Sequence, residues 1–208
     1  MVARIALFGI AVLFALSGTA LACQATGAPQ LDDNFKTPDP GWGRADDIGT
    51  FLANGLALTP PVDGSAWRIN QKYAIGNGSW CVEAVNPAKT SMDDQSASDV
   101  GVWFWGRDSQ NFYTATIALD GTAAVDRLVN GTWETVVEPT PSLGIKTAAG
   151  ATNELEIVLR GNVGAFFVNG TKVADFRGQP PPGGGAPGVY GESGPSGTTW
   201  LFTRARLY

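Results

Sequence analysis

The chain has 208 residues, of which 16% are charged, with a formal net charge of −5 and no histidine. An acidic balance without a clustered run of Lys and Arg excludes a nucleic-acid-facing surface, because phosphate binders concentrate positive charge on one face. The lack of histidine removes the commonest general base near neutral pH, the commonest zinc ligand and the usual serine triad, so any catalysis would run on carboxylates, Tyr or Lys.

Met1 to Ala22 reads as an export signal. Arg4 supplies a short positive start, Ile5 to Leu16 an apolar stretch, and Ser17 to Ala22 a small-residue exit ending Ala20-Leu21-Ala22. The apolar run is too short to cross ~30 Å of hydrocarbon comfortably, so no membrane span is expected. The mature part is then one domain, residues 23–208, in the periplasm or outside the cell. Cys23 follows the expected cut and Cys81 lies in an apolar run, which leaves two readings. In one, the oxidising compartment joins Cys23 to Cys81. In the other, Thr19-Ala20-Leu21-Ala22-Cys23 resembles a permissive lipoprotein box and Cys23 carries a lipid anchor. Ala20 stands where such boxes usually have Leu, and acylation would leave Cys81 unpaired, which favours the disulfide.

From Leu31 onward the chain alternates short apolar runs with Gly, Asn, Asp and Pro, the pattern of hairpins stacked into two sheets. Strands are expected over Trp80 to Asn86, Val100 to Trp105, Phe112 to Leu119, Glu154 to Leu159, Ala165 to Val168 and Trp200 to Leu207. Asp120-Gly121, Asn130-Gly131 and Asn169-Gly170 tolerate positive φ at low cost and are expected reversal points. Gln179 to Gly185, with three prolines and three glycines, cannot be a central strand and is expected to be a long surface loop.

Val100-Gly101-Val102-Trp103-Phe104-Trp105-Gly106-Arg107-Asp108, then Asn111-Phe112-Tyr113, Asp120-Gly121 and Asn130-Gly131-Thr132-Trp133, resemble the laminin G-like branch of the concanavalin A-like lectin/glucanase superfamily. Asn153 to Ile157, Phe167 to Gly170 and Gly188 to Gly191 follow in the order that branch uses, and Asp32 to Phe35 with Gly41-Trp42 is similar too. The resemblance implies an all-β, antiparallel two-sheet jelly-roll sandwich. Phe202-Thr203-Arg204 stands where that branch often has Phe-Asp-Asn, so calcium is possible as a cofactor but no motif supports it, and no metal ligand is assigned.

Period-2 alternation gives a candidate ligand face. With Val100, Val102 and Phe104 inward, Trp103 and Trp105 point the other way. The neighbouring run then places Phe112, Thr114 and Thr116 beside them, and Glu83 joins if Val82 and Ala84 face the core. Aromatic rings stack on the apolar side of a pyranose while hydroxyls and carboxylates bond its rim. The opposing reading is that Trp103 or Trp105 fills space between the sheets. Trp67 and Trp133 read as caps on a core edge.

No triplet of alternating acids appears on one strand, and Glu154-Leu155-Glu156 reads as a solvated outer face, since its apolar neighbours Leu155, Ile157 and Leu159 alternate inward. Asp46-Asp47 and Asp93-Asp94 sit in polar stretches without metal-loop spacing. The expected function is a non-catalytic, exported, lectin-like carbohydrate-binding module with a glycan or oligosaccharide as partner. The alternatives are a hydrolase, because the chain is also loosely similar to the 3-keto-disaccharide hydrolase domain, and a structural or protein-binding adhesion module.

Overall fold

A computed structural model describes residue 23, residues 27–88 and residues 95–208. The expected signal segment and Asp93-Asp94 lie outside the described residues.

In chain order the elements are β1 (Leu31–Asp33), a 3-10 turn (Pro40–Trp42), β2 (Gly49–Leu52), β3 (Gly55–Leu58), β4 (Gly64–Ile69), β5 (Gly78–Val85) and β6 (Asp99–Asp108). They continue as β7 (Asn111–Ala118), β8 (Thr122–Val129), β9 (Thr132–Pro141), β10 (Thr152–Arg160), β11 (Val163–Val168), β12 (Thr171–Arg177), β13 (Ala186–Ser193) and β14 (Trp200–Leu207). One sheet runs β12-β11-β10-β5-β14-β3-β2, with β1 on β14, and the other runs β4-β13-β6-β7-β8-β9. Every pairing is antiparallel among the described residues, so the fold is the jelly-roll sandwich expected.

Local chemistry explains the reversals. Asn130 and Gly131 have φ of 50° and 78°, and Asn169 and Gly170 have 49° and 78°. Positive φ at both central residues matches the right-handed twist of the strands they join. Alternation explains the core: Leu155, Ile157 and Leu159 are fully buried in one cluster with Val102, Phe104 and Ala115 of the other sheet. At the chain's start, the buried Asp33 carboxylate accepts from the amides of Phe35 and Asp39 and from Trp42 Nε1 at 2.9 Å, which closes the β1 end of the sandwich.

Two indoles tie the sheets together at β13. Trp80 Nε1 on β5 donates to the Gly188 carbonyl at 2.8 Å, and Trp200 Nε1 on β14 donates to the Glu192 carbonyl at 2.9 Å. Each satisfies a buried donor that would otherwise cost about 1–3 kcal/mol. Together they fix the strand that carries Tyr190 and Glu192.

The Cys23–Cys81 disulfide is formed, with Cα atoms 6.0 Å apart. It sits on the outer face of the eight-stranded sheet and fixes Cys23 there, itself 7% exposed. This corrects the expectation of a solvated Glu154-Glu156 face. Both residues do point outward, but Glu156, directly across from Cys81, is 2% exposed and accepts from Ser79 Oγ, while Glu154 pairs with Arg206 at 2.8 Å. No helix among the described residues is long and apolar enough to cross a membrane.

Candidate functional site

The outer face of the six-stranded sheet gathers aromatic rings at one end and carboxylates at the other. Register places them. Across β4-β13-β6-β7-β8, the pairs Trp67↔Tyr190, Gly188↔Trp103, Thr114↔Asp126 and Phe112↔Leu128 share the outward side, because their neighbours Ala66, Val189, Val102, Ala115 and Val125 all face the core.

At the aromatic end, Trp103 stacks on Phe112 with centroids 3.7 Å apart and on Trp67 at 5.2 Å. Gly188, across from Trp103, presents no side chain, so Trp67 reaches Trp103 from the next strand but one. Gly106 also leaves room: a Cβ there would lie 2.4 Å from Trp103 Nε1. Trp133 meets Phe112 edge-on at 5.5 Å and Tyr190 at 6.2 Å. Trp103, Phe112 and Tyr190 are buried as a floor, while Trp67 is half-buried and Trp133 is 44% exposed. The accessible ring surface is therefore that of Trp133 and Trp67, standing on a buried aromatic base.

At the other end, Asp99, Asp126 and Glu192 come from three strands. Tyr190 Oη donates to Glu192 Oε1 at 2.6 Å and joins the two ends. Asp99 Oδ1 is shut off from water and accepts no hydrogen bond. Burial, reinforced by repulsion from Glu192, Asp120 and Asp126, pushes the Asp99 carboxyl up to about 7. Burial also raises Asp126; Thr135 partly offsets this, while Glu192 and Glu138 add to it. The Tyr190 phenol is raised as well, first by burial and then by Glu192. Asp99 lines a cavity of about 260 Å³ with Thr116 and Asp120, and Glu192 lines one of about 450 Å³ with Ser65 and Trp133. A wider hollow of about 890 Å³ lies on the opposite sheet, where Glu156 is already bonded to Ser79. The six-stranded face has the better chemistry despite its smaller hollows.

The sequence-based candidates divide. Trp103, Phe112, Thr114 and Thr116 share the outer face as expected, yet all four are buried, at 2%, 1%, 2% and 4% exposure. Trp105 is corrected: it has φ of 47°, sits where the β6–β7 register slips, and turns inward. A single left-handed residue inverts the parity of the strand beyond it, and the Trp105 ring packs between the sheets against Tyr113 at 5.3 Å and Phe176 at 6.0 Å. Glu83 is corrected too. Its strand belongs to the other sheet, where it pairs with Arg206 at 3.0 Å.

Trp67 and Trp133, read as core-edge caps, pack on the outer-face aromatic cluster, half-buried and 44% exposed respectively, and the acidic end was not singled out from the sequence. One signal was available: Asp99 has the same parity as Gly101 and Trp103. Asp46, one of the loop acids considered for calcium, pairs with Arg68. Among the described residues, one set of three metal-ligating side chains converges within 4.8 Å, Cys23, Cys81 and Glu154, and its sulfurs are spent in the disulfide.

No protein-family model matches the sequence, and no curated relative does. Solved structures do match. A carbohydrate-binding module, CBM66 from Bacillus subtilis, aligns at TM-score 0.59 and 14% identity, over 79% of this chain and 93% of that one. A Bacillus licheniformis β-glucanase aligns at TM-score 0.59 and 14% identity, over 88% and 99%. Sheep galectin-11 aligns at TM-score 0.50 and 13% identity, over 76% and 99%. At these identities the likeness is one of fold, and the chain has the concanavalin A-like lectin/glucanase fold.

Proposed function

We propose that this protein is an exported, non-catalytic glycan-binding module whose sugar site is the outer face of the six-stranded sheet. The observation that carries the reading is Trp133, 44% exposed and braced edge-on by Phe112 and Tyr190, in one hollow with Glu192, Asp63 and Ser65. A large ring held at low entropic cost beside fixed polar groups suits a pyranose, which has an apolar face and a polar rim. Export to the periplasm or beyond agrees with the Cys23–Cys81 disulfide. The carbohydrate-binding proteins among the structural neighbours support a sugar ligand.

A second reading, a glycoside hydrolase, draws on one observation. Burial holds a proton on Asp99 up to about pH 7, and a second carboxyl group, Glu192, stands on the adjacent strand. A carboxyl group kept protonated near neutral pH is suited to act as the general acid of glycoside cleavage, which also needs a second carboxylate.

The test is binding of the mature chain, Cys23 to Tyr208, to a glycan panel, with Trp133→Ala and Trp67→Ala alongside and released sugar assayed in parallel. Binding that weakens about tenfold or more in Trp133→Ala, with no sugar released, is the expected result. Sugar release that stops in Asp99→Asn would replace this reading with the hydrolase. Binding indifferent to both tryptophans would place the site elsewhere.

A further inference from the structure

Among the described residues, no Lys or Arg pairs with the acidic end of the face. The groups acting on Asp99 are Glu192, Asp120 and Asp126, all carboxylates, and those acting on Asp126 are Thr135, Glu192 and Glu138. The arginines of the same sheet are engaged elsewhere: Arg68 with Asp46, Arg127 with Glu134, and Arg107 beside Asp108 at the β6–β7 hairpin. Asp99 is the decisive residue, since its Oδ1 is buried without a hydrogen-bond partner while the residue itself is only partly buried and lines the Asp120 cavity. An unsatisfied buried carboxylate oxygen costs several kcal/mol unless it is protonated or meets a cation.

A metal ion fits poorly, because the oxygens of these acids do not converge: among the described residues no three of them lie within 4.8 Å of one another. Carboxylates spread along a face suit charges spread along a chain. The cavity at Asp99, about 260 Å³, is below the ~300–1,000 Å³ of drug-sized pockets and admits a small cationic group.

We infer that the ligand is a glycan carrying free amines, a 2-amino-2-deoxy sugar oligomer in its deacetylated form, with ammonium groups seated on Asp99 and Glu192 and a neighbouring ring stacked on Trp133. The inference rests on the sugar-binding reading above. It also excludes a class, because uronate and sulfated glycans would add negative charge beside four carboxylates.

The experiment compares a glucosamine hexamer, an N-acetylglucosamine hexamer and a galacturonate hexamer on the mature chain at pH 7, where Asp99 is partly ionised, with a chelator present. The double variant Asp99→Asn with Glu192→Gln and the single variant Trp133→Ala are titrated in parallel, and unfolding melts confirm that both fold. The glucosamine oligomer should bind at least tenfold tighter than its acetylated form, and the galacturonate oligomer should not bind. The double variant should lose the preference, whereas Trp133→Ala should weaken both amino-sugar forms. Equal affinity for the two forms, or a preference that survives the double variant, overturns the inference and leaves the sugar-binding reading standing. A panel in which no glycan binds overturns both.

Discussion

The outer faces of the two sheets contain similar residues in different states. On the eight-stranded sheet, Arg206 bridges Glu83 at 3.0 Å and Glu154 at 2.8 Å, Arg204 holds Asp32 at 2.7 Å, and Ser79 donates to Glu156. Each carboxylate there has its partner within the chain. On the six-stranded sheet, Asp99 has none among the described residues, and the aromatic rings at the other end of the face include a tryptophan left 44% exposed. A face whose charges are internally paired gains stability and offers little to a ligand. A face with unpaired charge and exposed ring surface gives up stability that a ligand can restore.

The largest effect should come from the paired face. Replacing Cys23 and Cys81 together by Ser removes a cross-link spanning 58 residues and should cost about 4 kcal/mol in denaturant unfolding. A cost near zero would mean that the arm is held by other contacts. Next comes Arg206→Ala, which takes from Glu83 and Glu154 the cation they share. Burial already holds the Glu154 carboxyl up to about 7, against the pull of Arg206. Loss of the arginine should lower stability by about 3 kcal/mol at neutral pH and by less at pH 4, where Glu154 is protonated.

The third effect runs the other way and is smaller. The folded-state pKa of Asp99 lies above its unfolded value, so its contribution is present below the ordinary carboxylate range and is lost as pH rises through about 7. Asp99→Asn should therefore stabilise the protein by roughly 1–2 kcal/mol at pH 8 and leave it unchanged or slightly weaker at pH 4. Thermal melts across that range decide the matter, and a destabilised variant at pH 8 would mean that the Asp99 charge is compensated after all. Opposite signs for Arg206→Ala and Asp99→Asn at high pH would express the difference between the two faces in measured stability.

The sandwich was legible because alternation and turn chemistry are local. The Asn-Gly pairs marked hairpins, and the Val100-Val102-Phe104 parity correctly sent Trp103 outward. Parity failed at Trp105, where one positive φ inverts the pattern and no residue type signals it, since Trp rarely adopts that conformation. Glu83 failed for a different reason. Alternation tells which side of a strand a residue takes but not which sheet the strand joins, and β5 lies between β10 and β14. The acidic end is topological in the same way: β13 enters between β4 and β6 from about 90 residues downstream and brings Tyr190 and Glu192 to Asp99. The closed charge pairs of the other face were likewise hidden, because Glu154 and Arg206 meet only through β5.

The most direct measurement is the set of seven indole N–H resonances during titration with whichever glycan binds. The tryptophans are divided by the fold: Trp67, Trp103 and Trp133 belong to the outer face, whereas Trp42, Trp80, Trp105 and Trp200 lie in the core. The account predicts that Trp133 and Trp67 move most, Trp103 beneath them less, and the four core indoles hardly at all. Shifts that spared Trp133 and Trp67 while moving amides around Glu83 and Arg206 would put the ligand on the eight-stranded sheet and contradict it.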